Sequence, residues 1–177
     1  WSGSKSTPAE GPVPSVPAVT AVSDLIEDAT FLLNPEMERA RVDYRSQALA
    51  GLTVYADGEQ IKRALINLMK NAIQAMEEGG RLSVSARNGK GEVEIEVADT
   101  GPGVAQEARG RLFEPFFTTR EQGSGLGLAI VQQTLEKNRG RVELESVPGE
   151  GTTVTMYLPT SGEVVDMVSA TESGQSS

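Results

Sequence analysis

Asp57-Gly-Glu-Gln-Ile61-Lys-Arg-Ala-Leu65-Ile-Asn67-Leu68-Met-Lys-Asn71-Ala72-Ile-Gln-Ala-Met76 is the most regular stretch of this chain, and its period decides the fold class. Ile61, Leu65, Leu68, Ala72 and Met76 recur at helical spacing and make one apolar face. Asp57 stands where a side-chain oxygen caps a helix start, and Gly79-Gly80 stops the helix. A helix with one apolar face needs a surface to cover.

The flanking sequence supplies that surface as strands. Arg41 to Arg45, Leu52 to Ala56, Leu82 to Ala86, Val93 to Val97, Val142 to Glu145 and Thr153 to Tyr157 alternate apolar and polar residues, the mark of half-buried strands. Asn88-Gly-Lys-Gly91 and Pro148-Gly-Glu-Gly151 are turn signals between consecutive pairs. Ser23 to Leu33 reads as a short capped helix ended by Asn34-Pro35, and Gly125 to Lys137 as a third helix with Leu128, Val131 and Leu135 on one face. Three helices and about six strands predict an α/β fold. It is a two-layer sandwich, a mixed sheet with the three helices on one face. Strands and helices do not alternate throughout, which disfavours a doubly wound sheet.

Both ends differ from the middle. Residues 1–21 carry Pro8, Pro12, Pro14 and Pro17 among small residues and read as flexible linker or expression scar; residues 160–177 read as a flexible tail. The folded domain is expected over 22–159. The chain opens on Trp1 rather than Met, which reads as a piece of something longer.

The 177 residues carry a net charge of −9 with acids and bases interspersed, so no basic stripe is present to engage nucleic acid. There is no cysteine and no histidine, which removes disulfides, thiolate metal sites, zinc sites and a Ser-His-Asp triad from this chain. No apolar run approaches the ~20 residues of a membrane span. The expectation is a cytoplasmic domain without direct membrane contact, whatever anchors its parent.

Three groups of residues carry candidate chemistry. Asn67 and Asn71 lie four apart on the long helix, so both leave it from one side. Mid-helix asparagine costs propensity; the pair is either amides satisfied by nearby backbone or, for Asn71, an oxygen ligand for Mg²⁺. Asp99-Thr-Gly-Pro-Gly103 ends a strand. It is either an ordinary turn or a carboxylate for the exocyclic amine of adenine, with Gly101 and Gly103 admitting backbone close to the base. Gly123-Ser-Gly125-Leu126-Gly127 feeds the last helix, where free backbone amides favour phosphate. No lysine stands beside it, which excludes a Walker-type loop.

Taken in order, these motifs resemble the ATP-binding catalytic domain of sensor histidine kinases, in the GHKL or Bergerat-fold superfamily. Asn67-Leu-Met-Lys-Asn71-Ala resembles the asparagine box, and Asp99 to Val104 the first glycine box. Leu112-Phe-Glu-Pro-Phe-Phe-Thr-Thr119 resembles the phenylalanine box, and Gly123 to Val131 the second glycine box. Gly140, Gly149-Glu-Gly151-Thr152 and Leu158-Pro159 match the close of the domain. The resemblance covers roughly residues 22–159.

That resemblance implies ATP and Mg²⁺ as cofactors. Asn71 would hold the metal, and Asn67 would help position ATP. Asp99 would select adenine and, with Gly101 and Gly103, line the base pocket. Thr119, Gly123, Gly125, Leu126 and Gly127 would surround the phosphates. Residues 102–124 would form a mobile lid anchored by Phe113, Phe116 and Phe117. Relatives often place a basic residue where Gln74 stands, leaving Arg120 or Arg111 for the phosphates. Near Asn138-Arg139-Gly140 many relatives carry His-Gly-Gly, and the difference is expected to affect a surface turn only.

The implied function is transfer of the γ-phosphoryl group of Mg-ATP to a histidine on a separate dimerisation domain, within a two-component phosphorelay whose other partner is a response regulator receiver domain. The alternatives are an ATPase-type conformational switch of the same superfamily, an anti-sigma-factor-like serine kinase, or a nucleotide-binding regulatory module. ATPase relatives place a water-activating Glu where Asn67 stands, and an amide is a poor general base. The phenylalanine-box stretch favours the histidine kinases over the serine kinases.

Overall fold

The computed structural model describes residues 17–48, 50–76, 78–103 and 127–160. Among them run, in order, β1 (Ala18–Ala21), α1 (Val22–Arg39), β2 (Val42–Ala48), β3 (Thr53–Ala56), α2 (Gly58–Ala75), β4 (Gly80–Asn88), β5 (Glu92–Asp99), α3 (Gly127–Lys137), β6 (Arg141–Val147) and β7 (Gly151–Pro159).

The main sheet has five strands in the order β2-β4-β5-β7-β6. β2 runs parallel to β4, while the other neighbours are antiparallel. The sheet is mixed, as expected. Its inner face carries Leu82, Val84, Ala86, Val93, Ile95, Val97, Val154, Met156 and Leu158, all buried. Paired residues share a face, so Val84, Val97 and Val154 form one apolar row and Ile95 and Met156 another. Ile61, Leu65, Leu68, Met69, Ala72 and Ile73 of α2 cover those rows, with α1 and α3 packed at its flanks. The outer face is polar: Arg87 pairs with Glu94 at 2.8 Å, and Arg141 pairs with Glu92 at 2.7 Å and stacks over the Tyr157 ring. Helices on one side and ion pairs on the other give the two-layer sandwich.

Two expectations about α1 are overturned. It does not stop at Asn34-Pro35 but runs to Arg39 with Pro35 inside it, and Ser23 is not its cap, because Ala21 holds the N-cap position without a side-chain bond. The reason is tertiary. Leu33 and Met37 are both 2% exposed, one turn apart on the inward side. Each such burial is worth about 1.5–3 kcal/mol, which together matches or exceeds the ~3 kcal/mol cost of an interior proline. Pro35 lies on the water side, where the carbonyl it cannot serve is solvated.

The fold also begins and ends one step beyond expectation. Ala18–Ala21, read as linker, forms β1 and pairs antiparallel with β3 in a separate two-stranded sheet. Thr160, read as tail, bridges to Val54 of β3. Four residues with no apolar alternation of their own carry no strand signal until β3 is there to pair with.

Candidate functional site

The site is built at the end of β5. Cross-strand register places Leu82, Asp99, Thr152 and Ser146 side by side across four strands, on the face that is apolar elsewhere. A carboxylate therefore stands at the margin of the core, under the helix layer, and not on the solvated outer face. Ser146, 6% exposed, contacts the Thr152 hydroxyl at 3.0 Å and donates to the Gly151 carbonyl, which makes this end of the inner face polar. Sequence reading did not single out Thr152 and Ser146 for this row. The alternation of their strands, extended outward by one register step, is the signal that finds them.

The loop that follows is held from three sides. Asp99 Oδ1 accepts the Gly101 backbone N–H at 2.8 Å, a local turn of the kind aspartate favours. Thr100 exchanges bonds with Arg81 of β4: its N–H donates to the Arg81 carbonyl and its hydroxyl accepts the Arg81 N–H. The Gly149 N–H donates to the Pro102 carbonyl at 2.6 Å, tying the loop to the β6–β7 turn.

Two glycines permit this packing. A Cβ on Gly101 would lie 3.1 Å from the Ala75 carbonyl and 3.3 Å from the Ala75 Cβ, in the last turn of α2. Gly103 has φ +76, and a Cβ there would meet the Val147 backbone carbonyl. At Gly103 glycine is a steric requirement, and at Gly101 a side chain would be tightly crowded.

Ala75 lies one turn beyond Asn71, and Asn71 one turn beyond Asn67. The contact of Gly101 with Ala75 therefore brings the strand-end carboxylate and the helical amides to the same edge of the domain. Asn67 and Asn71 are half-buried on the polar side of α2, flanked by buried Leu68 and Ala72. Asp57 caps this helix as expected, accepting the N–H groups of Glu59 and Gln60. The described part of α3 begins at Gly127. Thr119, Gly123, Gly125 and Leu126, with the phenylalanine box and most of the expected lid, lie outside the described residues. A groove of about 320 Å³ lined by Glu36, Arg39, Ala40, Ile73 and Gln74 opens on the α1 side of α2, not at the Asn71–Asp99 edge.

The residues fit the implied cofactors. Asn71 offers a neutral oxygen, and among the described residues no group of three or more acidic side chains is gathered to cage a metal. Mg²⁺ is commonly held by one or two protein oxygens together with phosphates and water. The Asp99 carboxylate beside two bare glycines matches a flat base that needs an acceptor and close backbone.

Comparison with known proteins resolves the family. The model of the "Histidine kinase-, DNA gyrase B-, and HSP90-like ATPase" family matches residues 56–162, more than half of the chain. The chain belongs to that family. Within it, the likeness is to histidine kinases. The chain is 40% identical over 114 residues to the sensor histidine kinase ZraS of Klebsiella oxytoca, covering 64% of this chain and 25% of ZraS. The solved catalytic domain of histidine kinase ThkA matches with a TM-score of 0.75 and 29% identity, covering 81% of this chain and 95% of that domain. Full-length ShkA in complex with AMPPNP matches with a TM-score of 0.76 and 29% identity, covering 86% of this chain and 33% of ShkA. ThkA has also been solved with the response regulator TrrA, at a TM-score of 0.74 and 25% identity, covering 91% of this chain and 47% of that one. The chain thus covers 95% of the solved ThkA catalytic domain and about a quarter of the curated ZraS protein.

Two further facts bear on the site. No helix among the described residues is long and apolar enough to cross a membrane. Asn138, expected in a surface turn, is 5% exposed and joins α3 to the start of α2.

Proposed function

We propose that this chain binds Mg-ATP at the edge shared by α2 and the β5 loop and donates the γ-phosphoryl group to a histidine on a separate dimerisation domain of its parent. The observation that carries the reading is the packing of Gly101 on Ala75, which sets the loop after Asp99 against α2 one helical turn beyond Asn71. In this reading Asp99 accepts the exocyclic amine of adenine through the oxygens its turn orients. Gly101 and Gly103 leave the base a bare backbone wall. Asn71 and Asn67 hold the metal-phosphate end, and the amides at the start of α3 face anionic oxygens. Bound Mg²⁺ supplies charge neutralisation to the phosphates, and the protein's share is positioning.

The nucleophile has to come from elsewhere, since the chain contains no histidine. The likeness to ZraS and to the ThkA–TrrA pair supports a two-component parent with a response regulator receiver domain as onward acceptor, in the cytoplasm. Asn67 weighs against a gyrase- or HSP90-like ATPase switch: an amide cannot take a proton from water.

Incubation with γ-labelled ATP tests this, with the chain alone and with a histidine-bearing dimerisation domain added. The expected result is slow hydrolysis alone and acid-labile label on the added domain. Rapid turnover by the isolated chain points instead to the ATPase class, and acid-stable label on a partner serine to the serine kinases.

A further inference from the structure

Helix α1 exposes two large apolar side chains that the core does not use. Val22, Leu25, Ile26, Ala29, Leu33 and Met37 are buried inward. On the opposite side Phe31 is 83% exposed, and Leu32 on the flank 57%. Phe31 sits at the centre of the water side. Its neighbours at helical spacing are Glu27 and Asp28 in the preceding turn and Asn34 and Pro35 in the next, with Asp24 and Glu38 one turn further out. All of these are exposed. The helix has five acids and one base, Arg39 in its last turn. An aromatic anchor thus stands in an acid-lined stripe, next to a proline that has no N–H to donate to the Phe31 carbonyl.

We propose that this stripe is a docking surface for a basic amphipathic helix of a protein partner. Charge selects the occupant. A second copy of the chain would set the same acids against each other across a two-fold contact. Anionic lipid and nucleic acid are repelled for the same reason. A helix presenting one apolar row flanked by lysines or arginines places its apolar side chains on Phe31, Leu32 and Pro35. Its basic side chains then reach Asp24, Glu27, Asp28 and Glu38, their stems lying along the apolar surface. Asp28 meets Lys62 of α2 at 3.5 Å but stays largely exposed, so it remains available at the rim.

The test is amide chemical-shift mapping on the full 177-residue chain. The probes are a synthetic Lys/Leu amphipathic helical peptide, a Glu/Leu peptide of the same design, and phosphatidylglycerol vesicles. The Lys/Leu peptide is expected to shift the resonances of residues 24–38. Phe31→Gln is expected to weaken it at least ten-fold, and Glu27→Lys with Glu38→Lys by a similar factor. Phe31→Leu should retain binding. Because Phe31 is exposed, the Gln variant should melt no lower than the parent. Unchanged binding in Phe31→Gln overturns the proposal. So do equal binding of the Glu/Leu peptide, shifts centred on the outer sheet face, attachment to the vesicles, or dimerisation through α1.

Discussion

The side-chain oxygen of Asn138 accepts the backbone N–H of Asp57 at 2.8 Å, joining the end of α3 to the cap of α2 across 81 positions of sequence. The same amide donates to the Gln60 side chain at 3.1 Å and to the Thr134 carbonyl at 2.8 Å. One buried side chain thus holds the start of the helix that presents Asn67 and Asn71. Asn138→Ala removes all three bonds from a dry site. The expected loss of stability is about 1–3 kcal/mol, read as a lower urea midpoint with an unchanged slope. An unaltered midpoint would show that Asn138 holds nothing.

Arg139, next in sequence, gives the opposite expectation. Its φ is +64, and the N–H groups of Arg139 and Gly140 return to the carbonyls of Glu136 and Leu135. That is a Schellman close, in which glycine is favoured at the left-handed position. Arg139→Gly should raise stability by up to about 1 kcal/mol, the left-handed penalty less the entropy glycine adds to the unfolded chain. Thermal unfolding checks the sign.

Gly103→Ala should do the reverse. The φ of +76 already disfavours a side chain, and the obstruction is backbone of Val147 and Pro148, which cannot rotate aside. A loss of at least about 2 kcal/mol is expected from strain and overpacking combined. Urea unfolding of the variant measures it, and a loss under half that size would mean the hairpin yields.

At the proposed site the two polar residues should fail differently. Asn71→Ala removes a metal oxygen and should weaken Mg-ATP far more than metal-free ATP. Asp99→Asn mismatches donors and acceptors at the base, at about 1–3 kcal/mol, with or without metal. Calorimetry with ATP and GTP, each with and without Mg²⁺, separates the two patterns. Wild-type affinity in both variants would remove the site.

Tyr157 on the outer face gives a pH dependence. Burial, then the hydrogen bond to Glu143, raises its pKa above 10.0. A raised folded-state value means the neutral phenol is favoured by folding. Its contribution is complete below the unfolded value and is lost as pH climbs through the folded one. Urea midpoints taken from about pH 9 to about pH 11 should fall, and less steeply in Tyr157→Phe. Equal slopes would remove the effect.

Legibility in the sequence followed locality. α2 could be read because its cap and period are local, although it ends at Ala75, short of Gly79, and Gly80 already belongs to β4; the Gly89–Gly91 turn could be read because its chemistry is local. β1 could not, since Ala18–Ala21 becomes a strand only against β3. α1 past Pro35 could not, since the helix continues on the strength of Met37 reaching a core that local rules do not see. The same divide runs through the site. Asp99, Gly101 and Gly103 stand out as a motif, whereas the clamp of Gly149 on Pro102 depends on a hairpin some 50 residues away. Asn138 looked like a surface turn because its partner, a backbone N–H, leaves no trace in sequence.

That clamp also turns the hairpin into an observation post. Glu150 is exposed at the tip of the β6–β7 turn, beside the glycine that grips Pro102, and the chain has no cysteine. A single Glu150→Cys substitution therefore creates a unique thiol for a fluorophore. The dye would sit outside the proposed base pocket yet on the mooring of the loop proposed to wall it, so events at the loop could be followed optically without labelling the proposed pocket itself.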